Sequence, residues 1–294
     1  MTTEAERAEA LYVESLISAS ADNDWVDTII DARKRVIAAL RDSIFLKDIE
    51  GALKISGEHL SVFRHMFGPP ISQDQFSLIC PDYNKGWEKP GRKVPEEKAK
   101  SVADAVEKLL DQRITRWTVT GRKPSMLELR ILISTVAPML SLQSVATVRR
   151  NRYSASQEGA VINLLTHMGW SQISSGLVEQ SATLPSGHFM HKTKFATKTR
   201  PQEVDIACGL GKSVVLAMEC KVTNDRTNSV KRVNDILKKA TAWQEHWGSF
   251  VRTAALLQGV VADKDVQRLQ AANVNVFWSH DLDRFQKWLE ANLS

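Results

Sequence analysis

Cysteine is scarce in this sequence of 294 residues. Its three cysteines, Cys80, Cys208 and Cys220, are widely spaced, and no two of them have the spacing of a zinc site or a redox motif. An odd number of scattered cysteines also argues against a disulfide framework. We therefore expect three reduced thiols that are buried among apolar side chains.

The sequence also lacks signals for export or membrane insertion. Its first ten residues are polar and acidic, without the basic start and apolar stretch of a signal peptide. We find no apolar run of the length that spans a bilayer. The expectation is a soluble, cytoplasmic protein that has no membrane partner.

Several catalytic motifs are missing as well. The sequence contains no G-x-S-x-G element, no P-loop and no dinucleotide-binding fingerprint. His188 and His191 are three positions apart, but no cysteine or glutamate next to them completes a zinc set. These absences argue against a serine hydrolase, against nucleotide-binding enzymes of those two classes and against a zinc enzyme.

Positive charge is concentrated in one stretch of the second half. The net charge is only +5, but no acidic residue lies between Glu179 and Glu203. The basic residues of this stretch that we regard as candidates for nucleic-acid contact are Lys192, Lys194, Lys198 and Arg200. Such a stretch either faces phosphates or forms a solvated loop, and the sequence leaves both interpretations open.

The first half, residues 1–150, is predicted to be almost entirely helical. Residues 45–67 form an apolar helix, a small-residue turn and a second helix that carries His59, Ser61 and Arg64. This pattern resembles a helix-turn-helix, in which these three side chains would read DNA. A helical hairpin with a glycine turn has the same pattern, so that alternative stays open.

A second basic segment lies in a predicted loop. Residues 68–95 are punctuated by glycine and proline. Within this segment Lys85, Lys89, Arg92 and Lys93 are interleaved with a tryptophan. The mixture suits contact with a nucleic-acid backbone or an unstacked base, and a solvated surface loop is the alternative.

The second half changes from helices alone to alternating strands and helices. A helix that begins near Ser156 and ends at Met168 is followed by strand-like segments, a long helix and a β-α-β-α succession. This order predicts an α/β (α+β) fold, a mixed sheet flanked by helices. We expect two parts, a helical region over residues 1–150 and a sheet domain over residues 151–294.

One apolar strand of the second part carries charges on one face. In Val214–Val222, Glu219 and Lys221 share a face with small apolar side chains. Burying either charge without a partner is costly. The preceding strand, Glu203–Cys208, forms a hairpin with this one and brings Asp205 towards Glu219. We therefore expect two carboxylates and a lysine to converge.

The expected cluster has the parts needed for phosphodiester hydrolysis. Two convergent carboxylates repel each other unless a cation lies between them, and Mg²⁺ prefers such hard oxygen ligands. A metal bound by Asp205 and Glu219 would polarise a phosphate. Lys221 would hold or help deprotonate the attacking water and offset charge in the transition state.

These residues resemble the signature of the PD-(D/E)XK nucleases. The signature appears as Asp205 followed by the triplet Glu219-Cys220-Lys221 at the end of an apolar strand. The residue before the aspartate is Val204, not proline, which is a departure at a position that varies in the family. The resemblance implies a restriction-endonuclease-like core in the second half.

The resemblance also implies a role for an acid on the helix before the hairpin. In this family such an acid often joins the metal site, and Glu158 fits that place as a further catalytic residue and metal ligand. An ordinary acid in the first turn of a helix is the alternative.

A narrower resemblance is to XamI-like type II restriction endonucleases, through the segments Gln73–Phe76, Ala242–Gln244 and Phe277–Asp281. It implies cleavage of double-stranded DNA at a specific sequence with Mg²⁺, for which Mn²⁺ can substitute. A homodimer and a companion DNA methyltransferase in the same host are also implied. Residues 1–150 would then read or clamp the DNA.

Two other functions remain open at this stage. A repair or structure-directed nuclease would share the catalytic core but cut without a fixed sequence. A non-catalytic DNA-binding regulator would use the helical pair at residues 45–67 and never cut.

Overall fold

The computed structural model describes residues 3–17 and 19–293. These residues contain eleven α-helices: α1 (Glu4–Leu16), α2 (Ala19–Asp42), α3 (Ile49–Ile55), α4 (His59–Arg64), α5 (Gln73–Ile79), α6 (Glu96–Leu109), α7 (Trp117–Thr120), α8 (Met126–His167), α9 (Arg226–Trp247), α10 (Asp263–Ala271) and α11 (Leu282–Asn292). They also contain seven β-strands: β1 (Ser171–Gln172), β2 (Leu177–Val178), β3 (His188–Phe195), β4 (Gln202–Gly211), β5 (Val214–Thr223), β6 (Val251–Gly259) and β7 (Val274–Trp278). The chain is an α/β protein with a mixed sheet flanked by helices, as the sequence predicts.

The chain divides into two compact units. Residues 19–148 form one, which we call the helical unit, and residues 3–17 together with 149–293 form the other, the sheet unit. Helix α1 belongs to the sheet unit because Ala5 and Ala8 pack among residues of α9, β6 and β7. The N-terminal helix therefore belongs to the sheet unit, whereas the predicted boundary at residue 150 assigns it to the helical region.

The helical unit has its own apolar core, which includes Leu53 of α3, Phe63 of α4 and Val102 of α6. Helices α3 and α4 are the two short helices that the sequence predicts around a turn. A side chain at Gly57, in that turn, would come within 2.3 Å of the carbonyl oxygen of Trp87. Glycine is therefore required where the turn packs against the loop that follows α5.

Helix α8 is a single helix of 42 residues. Pro138 lies inside this helix and does not end it, because proline removes only one backbone donor from a helix with many other hydrogen bonds. The predicted helix start near Ser156 is wrong, since the helix is already formed there. Ser154 lies within the helix and donates from its hydroxyl to Glu158, 3.3 Å away. Glu158 is thus a mid-helix residue and not a first-turn acid.

One stretch of α8 is long and apolar enough to cross a membrane by length and composition alone. No such stretch was expected from the sequence. A third of that stretch is buried inside the protein, and core helices of soluble proteins meet the same criterion.

The seven described strands form one mixed sheet in the order β1-β3-β4-β5-β6-β7, with β2 also paired to β3. Strands β3, β4 and β5 are antiparallel neighbours, whereas β5, β6 and β7 run parallel. Helices α9 and α10 connect the parallel strands, which is the β-α-β-α succession that the sequence predicts.

Helices cover both faces of the sheet. Leu216 of β5 packs with Val161 of α8 and Phe285 of α11 on one face. Val215, its neighbour in β5, packs on the other face with Trp243 of α9. Both faces of β5 are therefore buried, as its alternating apolar side chains predict. A charged side chain in this strand is consequently surrounded by protein.

Strand β3 was not predicted from the sequence, which favoured a loop or a phosphate-facing segment for that stretch. The first of the strand-like segments after the helix, at residues 172–179, contributes only to the two-residue strands β1 and β2. Lys192, in the middle of β3, has a φ of 55°, which interrupts the regular alternation of side chains. The period-2 signal of a strand is therefore weak in β3.

Candidate active site

The candidate site lies where β4 and β5 separate. Their pairing runs from Gly211 and Val214 to the last pair, Ile206 and Met218. Beyond that pair, β4 remains bonded to β3 as far as Gln202, and β5 remains bonded to β6 up to the end of the strand. We call this separation, with Asp205, Glu219, Cys220 and Lys221 next to it, the fork.

Asp205 occupies the opening between the two strands. Its Oδ2 accepts a hydrogen bond from the backbone N–H of Cys220 at 2.8 Å and another from Nζ of Lys221 at 3.3 Å. Nζ of Lys221 is also 2.5 Å from Oε2 of Glu219. The structure therefore brings together the two carboxylates and the lysine that the sequence singled out, and one cation contacts both acids.

Glu219 is fully buried, and two lysines balance its charge. Besides its contact with Lys221, each of its carboxylate oxygens accepts a hydrogen bond from Nζ of Lys239 at 2.9 Å. Burial raises the pKa of Glu219, and the two ammonium groups offset that effect only in part. The carboxylate therefore depends on nearby cations to remain ionised.

Lys221 is held as a cation. Burial lowers its pKa, but the carboxylates of Glu219 and Asp205 outweigh burial and raise the pKa above its usual value. A protonated amine donates hydrogen bonds and cannot accept a proton. As a cation, Lys221 can orient a water and offset negative charge, which are two of the roles expected for it.

Glu158 lies close to the fork but is engaged by other residues. Its Oε2 is 2.6 Å from Nε2 of His191 and 3.1 Å from Nζ of Lys192, and its side chain is buried. After burial itself, the charges of Asp205 and Glu158 are the main factors that raise the pKa of the Cys220 thiol. The charge of Glu158 thus acts on the same buried residue as that of Asp205.

The donor set at the fork fits a hard divalent cation, because two carboxylates converge there and already share one cation. In the described part of the chain, no group of three histidine, cysteine, aspartate or glutamate side chains is arranged to hold a metal ion. Asp205 and Glu219 contact one shared cation, whereas Glu158 contacts His191 and Lys192. The metal-binding roles expected of these three acids remain predictions.

Two side chains at this site, Lys239 and His191, were not predicted from the sequence. A signal for Lys239 was available, since it lies three residues after Ile236 and four before Trp243, both in the buried face of α9. A lysine within an apolar stripe points to a buried partner. His191 gave no comparable signal, because its partner Glu158 is 33 positions away.

The acid-free stretch provides positive charge next to the fork. Lys192, Lys194, Lys198 and Arg200 are all exposed. Lys194 in β3 is paired in register with Glu203 of β4, two residues before Asp205. Lys192 and Lys194 therefore lie on β3, which is paired with β4 beside the fork, whereas Lys198 and Arg200 lie in the loop between β3 and β4.

The basic loop of the helical unit is also accessible. Lys85, Lys89, Arg92 and Lys93 are exposed, and Lys85 forms an ion pair with Asp74. Exposure leaves these side chains available for contact with DNA, and the loop is anchored where the N–H of Gly57 donates to the carbonyl of Arg92.

The three residues expected on a DNA-reading helix are buried, which corrects that expectation. Nε2 of His59 is 3.0 Å from Oδ2 of Asp42. Arg64 forms two 2.7 Å hydrogen bonds with the carboxylate of Glu88. Ser61 is buried as well and accepts a hydrogen bond from an arginine of α2. These side chains hold the helical unit together and do not form an exposed recognition surface.

Comparisons with known proteins relate this chain to restriction endonucleases. The model of the XamI restriction endonuclease family matches residues 45–278, a range that includes the fork and most of the helical unit. The type II restriction enzyme XamI of Xanthomonas campestris pv. amaranthicola is 28% identical over 188 residues, which cover 63% of this chain and 66% of that enzyme. The match thus spans just under two thirds of that relative.

A comparison with solved structures gives a remote likeness. The crystal structure of protein VC1899 from Vibrio cholerae shares 10% sequence identity with this chain at a TM-score of 0.33, over 83% of this chain and 57% of that one. A likeness at this level bears on neither fold nor function.

Proposed function

Because this chain belongs to the XamI restriction endonuclease family, we propose that it is a type II restriction endonuclease. In this proposal it hydrolyses phosphodiester bonds of double-stranded DNA at a specific sequence and requires a divalent metal ion. The observation that supports the proposal most directly is the contact of Asp205 and Glu219 with the same lysine at the fork.

We assign the metal to this pair of carboxylates. Asp205 and Glu219 would hold Mg²⁺, for which Mn²⁺ would substitute, and the ion would polarise the scissile phosphate and lower the pKa of the attacking water. Lys221, a cation at this site, orients the water and offsets the negative charge that develops on the phosphate oxygens. Glu158, held by His191 and Lys192, supports the site from outside the ligand pair.

The exposed basic side chains are proposed as DNA contacts. Lys194, Lys198 and Arg200 would hold the phosphate backbone beside the fork. The basic loop of the helical unit, which contains Lys85, Lys89, Arg92 and Lys93, would contact the duplex and contribute to reading or clamping it. Phosphate contacts of this kind position the DNA and do not select its sequence.

The assembly and its biological setting are part of the same proposal. A palindromic site is matched by a protein with two-fold symmetry, so a homodimer is proposed. A sequence-specific nuclease endangers the DNA of its own host, which a methyltransferase of the same specificity would protect. We place both activities in the cytoplasm.

The test is incubation of the purified protein with phage DNA, with and without Mg²⁺, followed by mapping of the product ends. Discrete fragments that appear only with Mg²⁺ and share one end sequence would support the proposal. A smear would point to a nuclease without sequence specificity. Equal DNA binding by the wild type and Lys221→Ala, with no cleavage by either, would point to a regulator.

A further inference from the structure

The ammonium group of Lys239, in α9, donates three hydrogen bonds at the fork. Nζ lies 2.9 Å from each carboxylate oxygen of Glu219 and donates a third hydrogen bond to the backbone carbonyl of Glu203 at 3.1 Å. An ammonium group has three donors. All three are therefore engaged inside the protein, at the point where β4 and β5 separate.

Packing of α9 holds this ammonium in position. Ile236, Ala240 and Trp243, on either side of Lys239 in the helix, are buried against the sheet. The Lys239 side chain is itself only 16% exposed. Since its donors are already engaged by Glu219 and Glu203, the position of Lys239 suits a partner for Glu219.

Lys221 alone does not balance the charge of the fork. Its single positive charge is shared between Asp205 and Glu219, and Glu219 has no access to solvent. A buried carboxylate without a full counter-charge is strongly disfavoured. Lys239 supplies the second charge, and it does so through the two oxygens that a divalent cation would also use.

We propose that Lys239 is a positioning residue and the resident counter-ion of Glu219. It holds this carboxylate in place before a divalent cation binds, and it weakens cation binding by competing for the same oxygens. This inference rests on the proposed metal-dependent nuclease function. Competition follows because an ammonium and a metal ion repel each other and share the same lone pairs.

The test uses thermal unfolding of the full chain without DNA, over a titration with MgCl₂ or MnCl₂. The variants are Lys239→Met, Lys239→Arg and the control Lys238→Met, since Lys238 is the exposed neighbour on the same helix. Without metal, we expect Lys239→Met to unfold at least about 4 °C below Lys238→Met, because Glu219 loses a partner. Lys239→Arg, which keeps the charge, should restore most of that difference.

The cation titration separates competition from a purely structural role. We expect Lys239→Met to bind the cation about tenfold more tightly than the wild type, since one positive charge is removed from beside the site. Lys238→Met and Lys239→Arg should bind it as the wild type does. If Lys239→Met does not fold, Lys239→Gln takes its place in the titration.

Two results would overturn the inference, and only the second would also contradict the proposed metal site. If the wild type responds to the cation and Lys239→Met responds equally or more weakly, Lys239 does not compete with the metal, and the nuclease proposal stands. If neither protein responds to any cation concentration, the competition and the proposed metal site both fail.

Discussion

Oδ2 of Asp205 accepts a hydrogen bond from the backbone N–H of Cys220, at a distance of 2.8 Å. The donor lies just past Met218, the last residue of β5 that is paired with β4. A side chain therefore satisfies a backbone donor that the neighbouring strand no longer reaches. This single contact places a carboxylate in the fork and ties it to the strand that carries Glu219 and Lys221.

Substitution of Asp205 by asparagine should distinguish the effect of its charge on cleavage from its effect on the stability of the fold. The amide oxygen of Asp205→Asn still accepts from Cys220, so we expect the fold to remain while the negative charge is lost. Cleavage of plasmid DNA in Mg²⁺ should fall at least about 100-fold. Asp235→Asn, at an exposed position of α9, is the control. A drop in Tm as large as that of a core mutation would show that Asp205 acts mainly on stability.

Replacement of Lys221 should abolish cleavage while DNA binding persists. Lys221→Met removes the cation shared by Asp205 and Glu219, and cleavage should decrease by about 100-fold or more. DNA affinity, measured by gel shift without Mg²⁺, should change little because the exposed basic residues remain. Lys212→Met, in the exposed β4–β5 turn, should cut as the wild type does. Normal cleavage by Lys221→Met would rule out a catalytic role.

Glu158 should matter less than Asp205. Because His191 and Lys192 engage it and we propose that it lies outside the pair of metal ligands, Glu158→Gln should lower cleavage by only about tenfold and raise the Mg²⁺ concentration required. The matched control is Glu179→Gln, an exposed position of the sheet unit. A loss as complete as that of Asp205→Asn would instead make Glu158 a direct ligand.

The Arg64–Glu88 pair should make the helical unit sensitive to acid. Arg64 and Glu88 are 4% and 6% exposed. Burial raises the pKa of Glu88, but hydrogen bonds from Arg64, Tyr83 and Gln73 outweigh it and lower the pKa below its usual 4.5. The unfolded chain thus binds a proton at higher pH than the folded chain. The free energy of folding that this pair contributes is therefore fully present above the usual glutamate pKa. It is lost as the pH falls through the lower pKa that Glu88 has in the folded protein.

This effect is measured by urea unfolding of the wild type and Glu88→Gln. At pH 7 the variant should be less stable by about 3–5 kcal/mol, because Arg64 is left buried without its partner. The difference should shrink at pH 3. Glu50→Gln, which breaks the exposed pair with Lys54, should change little at either pH. A difference between wild type and Glu88→Gln that does not depend on pH would contradict the assigned pKa direction.

Neutralising the basic stretch beside the fork should weaken DNA binding without changing its sequence preference. Replacing Lys194, Lys198 and Arg200 by glutamine should reduce the slope of log affinity against log salt by about one for each phosphate that is no longer neutralised. Lys287→Gln, on the exposed side of α11, serves as the control. An unchanged salt slope would show that these side chains do not touch the DNA.

Local patterns in the sequence were sufficient for the strands of the fork. The alternation of Val214–Val222 correctly predicts a strand buried on both faces, with Glu219 and Lys221 on one of them. The hairpin between β4 and β5 then brings Asp205 to Lys221. These inferences succeed because the side-chain period of a strand and the register of a tight hairpin are local properties.

The same local reasoning failed where long-range packing decides. The helix predicted to begin near Ser156 is the end of α8, which begins 30 residues earlier, at Met126, and continues through Pro138. His59 and Arg64 are polar, as residues on an exposed helix face are, but both are buried because they pair with Asp42 and Glu88. Charged residues are buried only when partners are present, and those partners are not local.

Sequence by itself determined which residues form the charged end of β5, because strand periodicity and spacing along the chain are sufficient to place an acid and an amine on one face. Only the tertiary structure decided which cations balance those acids. Lys239, twenty positions from Glu219, reaches it because α9 packs across β5. The physical reason is that a buried charge must find its counter-charge in three dimensions, and that choice depends on how whole helices pack on the sheet.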